Sequence, residues 1–124
     1  MAKYVDGFVL PVPKKNIASY RKMAQIGARV WKKYGAIEYI EAVGEDLNPK
    51  SMGMKFLTFA KIAKAKPGET VVFSFIVFKS RKHRDQVNAK VMKAMMSDPK
   101  SKDMQMPFDM KRMAYGGFEV IAQS

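Results

Sequence analysis

The sequence predicts an α+β protein in which two helices cover one face of a four-stranded antiparallel sheet. Four segments have the composition of strands, two have the period of amphipathic helices, and they follow one another as β-α-β-β-α-β. A length of 124 residues is typical of one domain. We therefore expect residues 1–124 to form a single ferredoxin-like domain with an insert at 45–68.

The first and third strands are apolar on both faces, which is typical of strands in the centre of a sheet. Segment 3–12 ends at two prolines, and segment 69–79 contains the apolar run 71–78, interrupted only by Ser74. The strand at 36–44 carries two acids, which indicates a sheet edge or a polar cavity wall. The strand at 111–122 contains Gly116-Gly117, which indicates a bulge or a close backbone contact.

Apolar residues at three- and four-residue steps predict helices at 15–34 and 81–97. Asn16 and Ser80 stand where N-caps are expected, and Gly35 stands where the first helix should end. The buried stripes are predicted to be Ile17, Tyr20, Met23, Ala24, Gly27, Val30, Trp31 and Tyr34 in the first helix, and Val87, Val91, Ala94 and Met95 in the second. A short helix is predicted within 56–65 of the insert.

Two helices can cover only one face of this sheet, because right-handed crossovers place both on the same side. The other face would then expose a larger apolar patch than soluble monomers usually show. A second copy of the sheet is the simplest cover, so we expect a homodimer through the sheet face, as in a dimeric α/β barrel. Phe73 and Phe75 are expected beneath the helices.

Several motifs resemble those of the YbaA-like family of small, uncharacterised bacterial proteins. They are YVDGFVLPVP (4–13), GAIEY (35–39), ETVVFSF (69–75), KSRKHRD (79–85), VNAKVM (87–92), MPFD (106–109), KRM (111–113) and YGGFE (115–119). The resemblance implies the dimeric α/β-barrel superfamily, which includes cofactor-independent monooxygenases, haem-degrading enzymes and small-molecule binders. It implies no catalytic residues, so enzymatic activity stays open. The chain departs from the family pattern at Met110, where glycine is usual, and at Ala42, where cysteine is common.

A small-molecule cavity on the sheet face is the first functional hypothesis. Asp6 is expected to face this cavity, because Gly7 on the opposite side would allow a helix to approach. A carboxylate buried there would act as a general base or as an anchor for Arg112 or a lysine. The other residues predicted to bind the ligand are Tyr39, Ser74, Tyr115 and Glu119.

The start of the second helix is a candidate anion site, formed by Arg81, His83 and Arg84, although a solvated helix start explains the same residues. With one histidine and no cysteine, the chain offers no recognisable metal site, and no cofactor is expected. Asp109, Lys111 and Arg112 are expected to fasten the loop that precedes the last strand through ion pairs.

The net charge of +12, with no acid between Asp6 and Glu38, would attract polyanions or simply keep the protein soluble. An RNA-binding module is therefore the alternative, since RNA-recognition motifs share the element order and carry strand aromatics like Phe73 and Phe75. A third hypothesis is that the methionine-rich loop at 99–110 meets a partner. Apolar runs are too short to span a membrane and no signal peptide is recognisable, so a cytoplasmic location is expected.

Overall fold

A computed structural model describes residues 2–50, 53–99 and 106–124. Its strands and helices are β1 (Tyr4–Pro13), α1 (Ile17–Lys33), β2 (Glu38–Val43), α2 (Phe59–Ile62), β3 (Glu69–Phe78), α3 (Arg81–Met96) and β4 (Ala114–Glu119). Short 3-10 turns at Lys14–Asn16 and Met110–Arg112 precede α1 and β4. The four-residue α2 lies inside the insert, so a third helix separates β2 from β3.

The sheet is antiparallel throughout, and its strands lie in the order β2-β3-β1-β4. The two strands that are apolar on both faces are therefore its centre, as predicted. They pair over their whole length, from Tyr4 opposite Phe78 to Pro13 opposite Glu69. Each central strand is therefore hydrogen-bonded to a neighbouring strand along both of its edges, in a setting that suits β-branched and aromatic residues. The ferredoxin-like α+β fold with a four-stranded antiparallel sheet is confirmed.

The helix ends follow from capping chemistry. Ser80 caps α3 as predicted, since its Oγ accepts from the backbone N–H of His83 at 3.1 Å. Asn16 occupies the N-cap position of α1 but makes no capping hydrogen bond. Its Nδ2 instead donates to the carbonyl of Pro107 at 3.0 Å, which ties the segment before β4 to the start of α1. Gly35 follows α1 with φ of 117°, a left-handed conformation that favours glycine.

Helices α1 and α3 cover one face of the sheet. Beneath them lie two apolar clusters, one around Leu10, Val12, Tyr20 and Val72 and one around Ile76, Phe78, Val87 and Val91. We call the other side the open face; it carries Val5, Gly7 and Val9 of β1, Phe73 and Phe75 of β3, and Phe118 of β4.

The expectation that Phe73 and Phe75 lie beneath the helices is wrong. Residues that alternate along a strand point to opposite faces, and β3 directs Val72, Ile76 and Phe78 into the helix-covered core. The two phenylalanines therefore share the open face, where Phe73 remains 45% exposed.

The insert covers only one end of the open face. The ring of Phe59 in α2 lies 6.1 Å from that of Phe73, and Ala63 and Val71 are buried nearby. Beyond this end the described residues leave the sheet open, so the described part of the insert does not form a second layer.

The loop before β4 is fastened by ion pairs, as predicted. Both terminal nitrogens of Arg112 donate to the carboxylate of Glu69 at 2.7 Å, and its Nε donates to Asp109 at 3.0 Å. Of the predicted methionine-rich loop 99–110, residues 100–105 lie outside the described residues. Within the described part of the chain, we find no helix long and apolar enough to cross a membrane.

Candidate functional site

Asp6 is buried between β1 and α3, with 1% of its surface exposed. Its carboxylate accepts hydrogen bonds from Nη1 of Arg84 at 2.8 Å and from Nδ2 of Asn88 at 3.2 Å. The prediction that Asp6 faces away from the helices, with Arg112 or a lysine as its anchor partner, is therefore wrong. A buried carboxylate needs a cation, and α3 supplies Arg84, whereas Arg112 is engaged with Glu69.

The network around Asp6 extends to three aromatic side chains. Asn88 accepts from the indole N–H of Trp31 at 3.0 Å, and Arg84 donates to the hydroxyl of Tyr115 at 3.0 Å. The guanidinium of Arg84 also lies 4.9 Å from the ring centre of Tyr4, at cation–π distance. A cavity of about 190 Å3 adjoins this network. Among the described residues, every buried side-chain nitrogen and oxygen has a hydrogen-bond partner, so the arrangement is that of a structural anchor.

The structure does not bring Arg81, His83 and Arg84 together as an anion site. The guanidinium of Arg84 turns inward to Asp6, and Nδ1 of His83 accepts from the backbone N–H of Lys79 at 3.0 Å. Burial, and then the charges of Lys79 and Lys90, lower the pKa of His83, so that its ring is neutral near pH 7. Arg81 is left exposed at the helix start.

A second polar cluster lies between α1 and the edge strand β2. Glu41 accepts hydrogen bonds from the hydroxyls of Tyr20 and Tyr39, the latter at 2.6 Å. Ser74, another predicted ligand residue, is the register partner of Glu41 on β3. Sequence reasoning placed Tyr20 in the buried stripe of its helix but missed this pairing. The sequence could have predicted a partner for Tyr20, because a buried tyrosine hydroxyl needs a polar group to bond with.

The five predicted ligand-binding residues thus share one face of the sheet, but it is the face that the helices cover. Asp6 and Tyr115 belong to the α3 network, and Tyr39 and Ser74 lie at the α1 cluster. Glu119 is the register partner of Tyr4 at the far end of β4, outside both clusters.

A large concave surface lies on the open face. It is a depression of about 660 Å3, walled by Val5, Val9, Phe73, Phe75, Ala114 and Phe118. At its centre Gly7 of β1 is paired with Gly116 of β4. A Cβ atom on Gly7 would lie 3.3 Å from the Phe118 ring, and one on Gly116 would lie 3.5 Å from it. The two glycines therefore form a floor on which this aromatic ring rests.

Charge and apolar surface are separated between the two sides of the molecule. Of the described residues that line the depression, Glu119 is the only charged one. The outer surface of the helices is basic, with Arg21, Lys22, Arg29, Lys32 and Lys33 exposed on α1. Within the described ranges, no group of three or more histidine, aspartate or glutamate side chains is placed to hold a metal ion.

Comparison with known proteins shows the family of this chain and the fold that it shares with a solved structure. The chain is 45% identical over 121 residues to the uncharacterised protein YbaA of Escherichia coli K12 and to YbaA of Shigella flexneri, covering 96% of this chain and 97% of each relative. The crystal structure of a dimeric ferredoxin-like protein from an uncultured marine organism superposes with a TM-score of 0.61. Its sequence is 10% identical, and the match covers both chains completely. Residues 3–110 match the model of one protein family, and the chain accordingly belongs to the family described as "Protein of unknown function (DUF1428)".

Proposed function

We propose that the protein is a homodimer whose two open faces meet and enclose a cavity that binds a small apolar molecule. The observation that carries this proposal is the apolar depression of about 660 Å3 on a sheet face that the described part of the chain leaves uncovered. Cavities of several hundred Å3 with mainly apolar walls are typical of small-molecule sites.

Exposure of the open face favours a second copy as its cover. Phe118 is 62% exposed and Phe73 45%, and they belong to one continuous apolar surface. Soluble monomers rarely leave such a surface in water. The apolar lining of the depression, with Glu119 as its one described charged residue, can pair with itself through a two-fold axis. The full-length similarity to a protein described as a dimeric ferredoxin-like protein supports a dimeric state.

The insert extends this apolar surface beyond the sheet. Met54, Phe56 and Leu57 are exposed in the extended segment that leads into α2, which packs against the sheet through Phe59. In the proposed dimer this segment would lie along the partner's sheet and enlarge the interface. Its cluster of exposed large apolar side chains is otherwise unfavourable in water.

The walls of the depression indicate the class of ligand. Phe73, Phe75 and Phe118 provide aromatic surface against which a flat apolar molecule can pack. Because Glu119 at the rim is the only charged lining residue described, an uncharged, largely apolar ligand fits best.

Binding of the neutral dye Nile red tests this function. Gly116→Val would place a branched side chain on the floor of the depression, at a backbone conformation open to all residues. In a fluorescence titration, we expect the Gly116→Val variant to bind Nile red about tenfold or more weakly than the wild type, because the filled cavity cannot accept the dye. Ala89→Val on the exposed side of α3 is the control and should bind like the wild type. Equal binding by all three proteins would contradict the proposed cavity.

Nucleic-acid binding is the second candidate function, and the exposed cations of α1 indicate the surface that would carry it. Phe73 and Phe75 lie on the open face, as an RNA-recognition sheet requires, but the described lining of the depression there contains no lysine or arginine to bind phosphates. Helix α1 has five exposed cations and no acid, so the helix layer is the surface to test. Anisotropy of a labelled RNA at about 50 and about 200 mM salt should then show strongly salt-dependent binding. A complete lack of binding at the lower salt would end this candidate.

A further inference from the structure

A cleft of about 420 Å3 opens between α1 and β2, on the side of the sheet away from the proposed dimer interface. We propose that this cleft binds a primary alkylammonium group, with Glu41 as its counter-charge and the apolar wall of the cleft around its alkyl chain. The proposal is independent of the proposed function, because neither the depression nor the open face contributes to it.

Glu41 is held in a fixed orientation at the base of the cleft. Its two carboxylate oxygens accept hydrogen bonds from Tyr20 of α1 and Tyr39 of β2, one tyrosine on each oxygen. Each oxygen can accept a further hydrogen bond, because a carboxylate offers about four acceptor positions. The remaining positions are available to a donor that enters the cleft.

The carboxylate of Glu41 has no ion-pair partner among the described residues. In the described part of the chain, the ion pairs engage Asp6, Glu69, Asp85 and Asp109, and none engages Glu41. Burial raises the pKa of Tyr20 and of Tyr39, and the hydrogen bonds to Glu41 raise both further. Both tyrosines are therefore neutral donors that orient the carboxylate without neutralising it. A half-buried carboxylate without an ion pair can serve as the counter-charge of a cationic ligand, even in a chain whose net charge is +12.

The remaining walls of the cleft are mainly apolar and can contact the alkyl chain of the ligand. Ile17, Ala24, Ala28 and Val43 line it with apolar surface, and two of them are alanines that leave space above the strand. The rings of Tyr20 and Tyr39 add aromatic surface near the carboxylate, which favours an ammonium group over a neutral hydroxyl.

The sequence of α1 leaves room for this arrangement. A Cβ atom at Gly27 would lie 2.7 Å from the hydroxyl oxygen of Tyr39, too close for both to keep their positions. Glycine weakens a helix interior relative to alanine, so its presence here has a cost. At Gly27 the absence of a side chain leaves room for the tyrosine that orients Glu41.

Arg21 also lines the cleft and is exposed. It is the one described cation at the cleft, and it forms no ion pair with Glu41. If its side chain swung inward it would compete with the ligand, so Arg21→Ala should bind an ammonium ligand at least as well as the wild type.

Titration calorimetry with n-pentylammonium chloride and with 1-pentanol tests the inference. We expect the wild type to bind the ammonium and not the alcohol, and Glu41→Gln to bind the ammonium about tenfold or more weakly. Glu38→Gln is the matched control, since Glu38 lies exposed on the same strand and points to the opposite face. It should bind like the wild type.

Should Glu41→Gln fail to fold, Ala28→Leu decides the question, because it fills the cleft and leaves the carboxylate and both tyrosines in place. Loss of ammonium binding in this variant supports the inference. Binding that is unchanged in Glu41→Gln or Ala28→Leu, equal for the alcohol, or absent from the wild type would overturn it.

Discussion

Asp6 on β1 and Arg84 on α3 form an ion pair, with Oδ1 and Nη1 2.8 Å apart, that ties the helix layer to the centre of the sheet. The side chain of Asp6 is 1% exposed and that of Arg84 13%, so water screens this pair poorly. Asn88, one turn further along α3, donates to the other carboxylate oxygen and fixes the helix in register with β1.

Asp6→Asn should destabilise the protein by about 3–5 kcal/mol, the usual loss when one partner of a buried ion pair is removed. The reason is that Arg84 would keep its charge without a counter-charge. Urea unfolding followed by far-ultraviolet circular dichroism measures the change. Asp85→Asn is the control, because Asp85 also pairs with Arg84 but is 60% exposed, and it should cost less than about 1 kcal/mol. Equal losses in the two variants would refute the anchor role of Asp6.

Glu69 makes the stability of the protein depend on pH. Its hydrogen bonds to Arg112 lower the pKa of its carboxyl group from 4.5 to about 2. Because the folded-state pKa is below the unfolded-state value, ionised Glu69 stabilises the fold above pH 4.5, and this contribution is lost as the pH falls toward 2.

Glu69→Gln should therefore lower the urea midpoint at neutral pH and show a weaker loss of stability between pH 4.5 and 2 than the wild type. The comparison isolates Glu69, since all other carboxylates titrate in both proteins. Parallel stability curves over that range would show that the Arg112–Glu69 pair contributes nothing.

Gly27 and Tyr39 are expected to be energetically coupled. Alanine at position 27 should destabilise the wild type, although it improves helix propensity by about 1 kcal/mol, because its Cβ would displace the Tyr39 hydroxyl. In a Tyr39→Phe background the hydroxyl is absent, so the same substitution should be less costly or even stabilising. Thermal unfolding of the four proteins of this double-mutant cycle measures the coupling. Additive effects would contradict the crowding.

Much of the fold could be predicted from residue patterns. The apolar runs of β1 and β3 identified the centre of the sheet, and Ser80 identified the start of α3. Period-two alternation predicted which residues of each single strand share a face. It could not decide which face the helices cover, because both central strands are apolar on both sides.

The position of Arg84 in the sequence could have shown which face of the sheet the helices cover. It lies on the same side of α3 as the buried Val87 and Val91, together with Asn88. A guanidinium on a buried helix stripe needs an acid, and Asp6 is the only acid in either central strand between their ends. The site itself was less predictable, since the open-face depression depends on the Gly7–Gly116 register, which only the paired strands reveal.

Sedimentation equilibrium in dilute solution tests most directly whether a second copy covers the open face. We predict a mass of twice the 14.1 kDa of one chain for the wild type and of one chain for Phe118→Asp, which places a charge in the interface. Ile26→Asp, at an exposed apolar position on the outer side of α1, is the control and should stay dimeric. A wild type that sediments as a single chain, or a Phe118→Asp variant that stays dimeric, would contradict the account.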